Sequence, residues 1–151
     1  MNKFMELAID EARLGINNND GGPFGCVIIK DGEIIAQAHN TVVRDNDPTA
    51  HGEMNAIRIA GKKLGTFDLS GCELFTTSEP CPMCLSAIIW ANIKTVYYGC
   101  NCNDAASIGF RDDFIYDYIK NGGDILKLKE LTRAQCVELF SEYTSTPHKL
   151  Y

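Results

Sequence analysis

The stretch Cys72-Glu73-Leu74-Phe75-Thr76-Thr77-Ser78-Glu79-Pro80-Cys81-Pro82-Met83-Cys84 joins two kinds of secondary structure. Its first half, residues 72–77, follows a glycine and is rich in apolar and β-branched residues, which predicts a strand. A polar turn with two prolines then opens a predicted helix over residues 83–91. A strand that leads directly into a helix is a building unit of sheets covered by helices.

The same type of pattern extends in both directions from this stretch. Asp31-Gly32 lies between two apolar runs, and Asp-Gly in that position is a strong signal for a β-hairpin. We predict strands at 26–29, 34–36, 72–77, 95–98 and 125–128, and helices at 4–16, 50–64, 83–91, 113–120 and 132–143, with Thr49 capping the second helix. The alternation predicts an α/β fold, a three-layer α/β/α sandwich around a mixed five-stranded sheet.

The composition is that of an ordinary globular chain. The sequence has 151 residues, 45% of them hydrophobic and 23% charged, so we expect a single domain over residues 1–151. The net charge of −6 argues against long nucleic acid as a partner. No apolar run approaches the ~20 residues that span a bilayer. Carboxylates interrupt the N-terminal region where a signal peptide needs an apolar core, so we expect a cytoplasmic protein without a membrane partner.

The seven cysteines carry the strongest chemical signal. An odd number in a chain without an export signal argues against a disulfide framework. Cys81 and Cys84 stand at a predicted helix start, where both sulfurs can face one point and the helix N-terminus favours the thiolate. The stretch Pro48-Thr49-Ala50-His51-Gly52-Glu53 opens another predicted helix. His51 would complete a set of three ligands that suits Zn²⁺ and leaves the fourth tetrahedral position open.

Glu53 is placed for proton transfer rather than for metal binding. Two positions after His51 on a helix, its side chain lies on a different side from the imidazole. Zinc lowers the pKa of water to about 7, and a neighbouring carboxylate can take that proton and pass it to a leaving group. The chain matches, at every position, the pattern that is known for zinc-dependent base deaminases, His-x-Glu followed by Pro-Cys-x-x-Cys.

Other uses of these residues stay open at the level of sequence. A thioredoxin-like redox pair at Cys81 and Cys84 is disfavoured by the proline between them and by the absence of a preceding Trp. A non-catalytic zinc module would need a fourth protein ligand, for which Cys100 and Cys102 are candidates. His39 has no partner that the sequence identifies, and we interpret it as structural.

The chain resembles the cytidine deaminase superfamily, and within it the guanine deaminase branch. Beyond the zinc motifs, the shared positions are Gly21-Gly22-Pro23-Phe24-Gly25, Asn40, Asn46-Asp47-Pro48-Thr49-Ala50-His51, Asp104-Ala105-Ala106, the stretch from Gly109 to Tyr116, and Tyr151. The last two are the more specific part. The resemblance implies a cytidine deaminase-like fold, a Zn²⁺ cofactor, and a homodimer in which the C-terminal segment, about 111–151, can be exchanged between subunits.

The resemblance also implies roles for four further residues. Asn40 would hydrogen-bond a purine, Phe24 would stack on or beside it, and Asp112 would bind ring N–H groups or help to move protons. Tyr151 would close the pocket, from its own chain or from the partner subunit. Guanine suits this set because its edge presents donors at N1 and the 2-amino group, where adenine presents an acceptor at N1. Alternatively, Asp112 could cap a helix, Asn40 could cap a turn, and Phe24 could fill the core.

The implied activity is hydrolytic deamination of a free purine base, guanine to xanthine with release of ammonia, a step of purine catabolism. Gly52 is a departure, since the family usually has Ala there and fungal cytosine deaminases also have Gly. A glycine would open room beside the metal, so cytosine or another amino-heterocycle is an alternative substrate. A tRNA-specific adenosine deaminase is a second alternative, which the charge of −6 disfavours.

Overall fold

The computed structural model describes residues 2–151, in which helices cover both faces of one sheet. In chain order the elements are α1 (Lys3–Asn17), β1 (Gly25–Lys30), β2 (Glu33–His39), α2 (Val42–Asp45), α3 (Gly52–Leu64), β3 (Cys72–Ser78), α4 (Pro82–Trp90), β4 (Thr95–Cys100), α5 (Cys102–Ser107), α6 (Asp113–Asn121) and α7 (Arg133–Thr144). None of the helices within this part of the chain is long and apolar enough to cross a membrane.

The sheet is mixed, in the order β2-β1-β3-β4. Strand β1 pairs antiparallel with both β2 and β3, while β3 pairs parallel with β4. The predicted hairpin is confirmed, and its turn residues Asp31 and Gly32 have φ values of 51° and 78°. Positive φ at both central residues is what a type I′ turn requires, and Asp-Gly tolerates it.

Two apolar clusters form the core, one on each face of the sheet. Val27 and Ile29 of β1 pack with Ala8 of α1 on one face. Cys26 and Ile28 of the same strand pack on the other face, in the cluster that includes residues of α3 and α4. Because β1 is covered on both sides, its apolar run is continuous rather than alternating. The predicted arrangement of three layers agrees with this packing.

Two expectations about the elements are wrong. The sheet has four strands rather than five, because residues 125–128 form no strand and every residue from 119 to 151 is exposed. A strand needs a neighbouring strand to form hydrogen bonds with its backbone, and a short apolar segment does not by itself provide one. Helix α3 begins at Gly52, with His51 as its N-cap, so Thr49 does not cap it.

Candidate active site

Two helix starts position the candidate metal ligands. His51 is the N-cap of α3 and Cys81 the N-cap of α4, and both have extended backbone, with ψ of 158° and 167°. Because of this extended backbone, the N-cap side chain lies over the first turn of the helix and does not project radially from the helix axis. The Cys81 Sγ accepts the backbone N–H of Cys84 at 3.5 Å, and Pro82 occupies the first turn of the helix, where a proline is favoured.

The three candidate ligands converge on one point. The Nδ1 atom of His51 lies 3.6 Å from the Sγ of Cys81 and 3.5 Å from the Sγ of Cys84. Zn–S and Zn–N bonds of about 2.3 and 2.05 Å at tetrahedral angles separate sulfur from nitrogen by about 3.6 Å. The donor set therefore fits zinc. Among residues 2–151, these three form the cluster whose ligand atoms all lie within 4.8 Å of one another, and neither Cys100 nor Cys102 joins it.

The two sulfurs differ in proton affinity before a metal binds. A hydrogen bond between the thiols lowers the pKa of Cys81 to about 4 and raises the pKa of Cys84. The nearby Cys81 also raises the pKa of His51. A metal needs both sulfurs as thiolates and the imidazole neutral, so its binding displaces protons from this cluster.

Glu53 lies beside the sulfurs and is almost completely buried, with 6% of its surface exposed. Its Oε1 accepts the Thr76 hydroxyl at 3.0 Å, and its Oε2 lies 3.5 Å from the Sγ of Cys84. Burial is the main cause that raises the pKa of this carboxyl group. A carboxyl group with a raised pKa, held next to a metal site, is suited to accept a proton and to return it.

A cavity of about 600 Å³ opens onto Glu53 and two of the candidate zinc ligands, His51 and Cys81. Three of the substrate-binding candidates line it, namely Phe24, Asn40 and Asp112. Phe24 meets Phe110 edge to face, with ring centroids 4.9 Å apart, so its ring belongs to the cavity wall. This volume falls within the range of small-molecule sites.

For Asn40 and Asp112, the alternatives to substrate binding were the capping of a turn and the capping of a helix. The Oδ1 of Asn40 accepts the N–H of Val42 at 3.1 Å, so the residue caps a turn and also lines the cavity. That bond uses the acceptor of the amide and leaves its donor nitrogen for a ligand. Asp112 stands at the N-cap of α6, but its side chain makes no capping bond. Partial burial, followed by the charge of Cys81, raises the pKa of Asp112.

Tyr151 is not brought to the cavity of its own chain. Its ring packs against Phe67 and Trp90, with centroids 6.1 and 6.4 Å away. Phe67 follows the end of α3 and Trp90 ends α4, whereas the zinc ligands stand at the starts of these helices. The 13 residues of α3 span about 20 Å, which separates Tyr151 from the site.

Gly52 does not open room beside the metal, contrary to the expectation from sequence. A Cβ atom there would lie 3.2 Å from the carbonyl oxygen of Phe24 and 3.6 Å from the Cβ of Cys26. Both atoms belong to the packing between α3 and β1, and Gly52 does not line the cavity. The glycine therefore reflects the close approach of backbone segments, and it gives no support to cytosine as the substrate.

Three residues at the site were given no role from sequence. Thr76 holds Glu53, Phe110 contacts Phe24, and Glu79 lines the cavity, where it accepts the N–H of Cys102 at 3.0 Å. The signal for Thr76 in the sequence was a polar residue directly after two apolar residues in a predicted strand. Nothing in the local pattern distinguishes Phe110, because its partner lies more than eighty positions away.

The similarity of this chain to known proteins defines the class of its site. The model of the cytidine and deoxycytidylate deaminase zinc-binding region matches residues 1–100. The chain belongs to this family and is a zinc-dependent nucleobase aminohydrolase with a cytidine deaminase-like α/β fold. His51, Cys81 and Cys84 are its candidate zinc ligands.

Within that class, the chain is similar to guanine deaminase of Bacillus subtilis strain 168. The two are 53% identical over 116 residues, which cover 77% of this chain and 74% of the relative. The solved structure of the B. subtilis guanine deaminase has a TM-score of 0.93 and 43% identity, covering 100% of this chain and 99% of that one.

Two other relatives are less similar. A structure of guanine deaminase from Nitrosomonas europaea has a TM-score of 0.69 and 30% identity, over 95% of this chain and 84% of that one. A tRNA-specific adenosine deaminase from Aquifex aeolicus is 44% identical over 95 residues, which cover 63% of this chain and 62% of the relative. The match to the tRNA enzyme thus spans less than two thirds of either protein.

Proposed function

We propose that this protein is a guanine deaminase that hydrolyses guanine to xanthine and ammonia. The observation that carries the proposal is the cavity itself, in which Phe24, Asn40 and Asp112 surround the space in front of Glu53 and the zinc ligands. The similarity to the B. subtilis guanine deaminase over the whole chain supports the same substrate. The seven free cysteines fit a reducing cytoplasm.

His51, Cys81 and Cys84 would hold the zinc ion, which supplies Lewis acidity at an open position and lowers the pKa of water there to about 7. Glu53 takes the proton of the attacking water as its oxygen bonds to C2 of guanine, and it gives that proton to ring N3. Glu53 then takes the remaining proton from the new hydroxyl group on C2 and gives it to the amino group, which leaves as ammonia as the C2–N bond breaks and the C2=O bond of xanthine forms. The hydrogen bond from Thr76 holds the carboxylate between these positions.

The side chains on the cavity wall orient the base. The donor nitrogen of Asn40 suits an acceptor such as O6 of guanine, and the carboxylate of Asp112 suits the N–H groups of the ring. Phe24 offers an apolar surface beside the ring plane. An adenine edge would present an acceptor to the carboxylate of Asp112, which places two electronegative groups in contact.

A panel of bases tests the proposed substrate. We expect ammonia release with guanine, and at least a hundredfold lower kcat/KM with cytosine and adenine, because a site built to pair with the N1–H and 2-amino donors of guanine rejects bases that lack this pair. The measurement is ammonia formation at fixed enzyme concentration, with xanthine identified by its absorbance. Comparable turnover of cytosine would overturn the proposal. Purified enzyme that binds tRNA at moderate salt and deaminates its adenosine would favour the tRNA enzyme instead.

We further propose a homodimer in which the C-terminal segment, about 111–151, is exchanged from a point after Asp112, which stays at the cavity of its own chain, and carries Tyr151 to the partner's cavity. Residues 119–151 are all exposed, and an isolated helix as short as α7 is only marginally stable in water. Strand β4 is the edge of the sheet, and its Tyr97 and Tyr98 are about half exposed. Such a combination of bare edge and uncovered apolar side chains is expected of a surface that another chain covers.

Complementation between two inactive variants tests this exchange. One variant lacks Tyr151 and the other carries Glu53→Gln, and each alone is expected to have less than about a tenth of wild-type kcat/KM. In a co-expressed mixed dimer with exchanged segments, one site combines an intact Glu53 with the Tyr151 of the partner subunit, so activity returns. A mixed dimer as inactive as its parents would show that Tyr151 acts within its own chain, and monomers in solution would also contradict the proposal.

A further inference from the structure

A second group of ionisable side chains lies next to the cavity, apart from the zinc cluster. His39, the last residue of β2, stands between two carboxylates and is 11% exposed. Its Nδ1 lies 2.8 Å from Oε2 of Glu11, and its Nε2 lies 2.9 Å from Oδ2 of Asp20. Both ring nitrogens of His39 thus lie within hydrogen-bond distance of a carboxylate oxygen. The three side chains form what we call the His39 bridge.

The His39 bridge connects separate segments of the chain. Glu11 belongs to α1, and Asp20 belongs to the loop between α1 and β1. The backbone of Asp20 extends the connection, since its N–H donates to the carbonyl of Gly15 at 2.9 Å. Its own carbonyl accepts the N–H groups of Val43 and Arg44, both at 3.0 Å. The bridge thus fixes the loop that starts at Asp20 against α1, α2 and the end of β2.

The same loop forms the wall on which Asn40 rests. Asn40 follows His39 directly, and its N–H donates to the carbonyl of Phe24 at 2.9 Å. A Cβ atom on Gly21 would lie 2.1 Å from the Oδ1 of Asn40, so the amide packs against bare backbone one residue after Asp20. The orientation of Asn40 therefore depends on where the loop is held.

We propose that His39 is a positioning residue, which orients Asn40 and Phe24 for the base because its ring connects Asp20 to Glu11 of α1 and so holds the loop of residues 20–24 in place. His39 does not itself line the cavity, so it acts through its neighbours. The charges that face it are Glu11 from α1, Asp20 from the loop, and Arg44 of α2, whose Nη1 is 3.7 Å from Oδ2 of Asp20. The proposal rests on the proposed function only in using turnover of the base as its readout.

Two variants disturb the bridge from different sides. His39→Gln keeps one side-chain nitrogen and replaces the other with an oxygen, which cannot donate a hydrogen bond to a carboxylate. Gly15→Ala keeps all three side chains, but it adds a Cβ atom 2.6 Å from Cδ2 of His39, which displaces the ring. The matched control is Arg13→Gln on the same helix, where Arg13 pairs only with the exposed Asp10. Steady-state kinetics, zinc content and Tm are measured for all of them.

Both bridge variants are expected to raise KM for guanine about tenfold, because the contact between Asn40 and the base is weakened. The value of kcat stays within about threefold of the wild type and the zinc content is unchanged, because the position of Glu53 does not change. The control keeps the wild-type KM. Wild-type KM in a folded bridge variant, or a fall in kcat at constant KM, would overturn the proposal. If His39→Gln does not fold, Gly15→Ala alone decides. If the wild type uses a base other than guanine, KM and kcat of the variants are compared with the wild type on that base. Failure of guanine as the substrate is then distinguished from failure of the proposed role of His39.

Discussion

Replacing Glu53 by Gln is expected to lower kcat at least about a thousandfold while zinc stays bound at one ion per chain. General acid–base catalysis contributes about 10²–10⁴-fold, and Glu53 moves the proton in more than one step of the proposed reaction. Gln has nearly the same shape and still accepts the Thr76 hydroxyl, so the cavity keeps its form. The measurements are ammonia release under saturating guanine and metal content by mass spectrometry.

The matched control for this change is Glu33→Gln, in the exposed β-hairpin, for which no loss is expected. Activity above about a tenth of wild type in Glu53→Gln would remove the proton-transfer role, given the magnitudes that such groups contribute. A variant that loses zinc and activity together would mean that Glu53 acts by holding the metal. The two readouts therefore separate proton transfer from metal binding.

Replacing Cys84 by Ser is expected to abolish both zinc binding and turnover and to lower Tm by more than about 10 °C. Cys84 is fully buried at the start of α4, and zinc that binds only the folded chain adds its binding free energy to stability. A loss of a few kcal/mol shifts the Tm of a chain of this size by roughly 10 °C. Calorimetry and metal analysis of the purified variant provide the measurements.

Cys136→Ser serves as the control because it makes the same chemical change at an exposed site on α7. Removing zinc from the wild type with a chelator should lower its Tm toward that of Cys84→Ser, and the chelator should leave the variant unchanged. Full zinc occupancy with normal turnover in Cys84→Ser would contradict the assignment of Cys84 as a ligand.

Much of the fold could be predicted because its signals are local. The hairpin follows from Asp31-Gly32, and the four observed strands and the five longer helices follow from apolar patterns along the chain. The two short helices α2 and α5 were not predicted. The fifth strand was predicted wrongly because Ile125 to Leu128 is rich in apolar residues but has no strand beside it in the structure. The position of α3 was misjudged by two residues because Thr49 resembles a cap, whereas His51 occupies that place and turns its imidazole toward the sulfurs.

The sequence by itself determined the candidate zinc site, because His51, Glu53, Cys81 and Cys84 occupy two short motifs whose spacing fixes their directions at helix starts. Only the tertiary structure decided what surrounds that site. Phe24, Asn40 and Asp112 reach one cavity through sheet pairing and loop packing, and His39 meets carboxylates from two other segments. Such contacts depend on how distant segments pack, and the patterns along a single chain encode directions within an element rather than distances between elements.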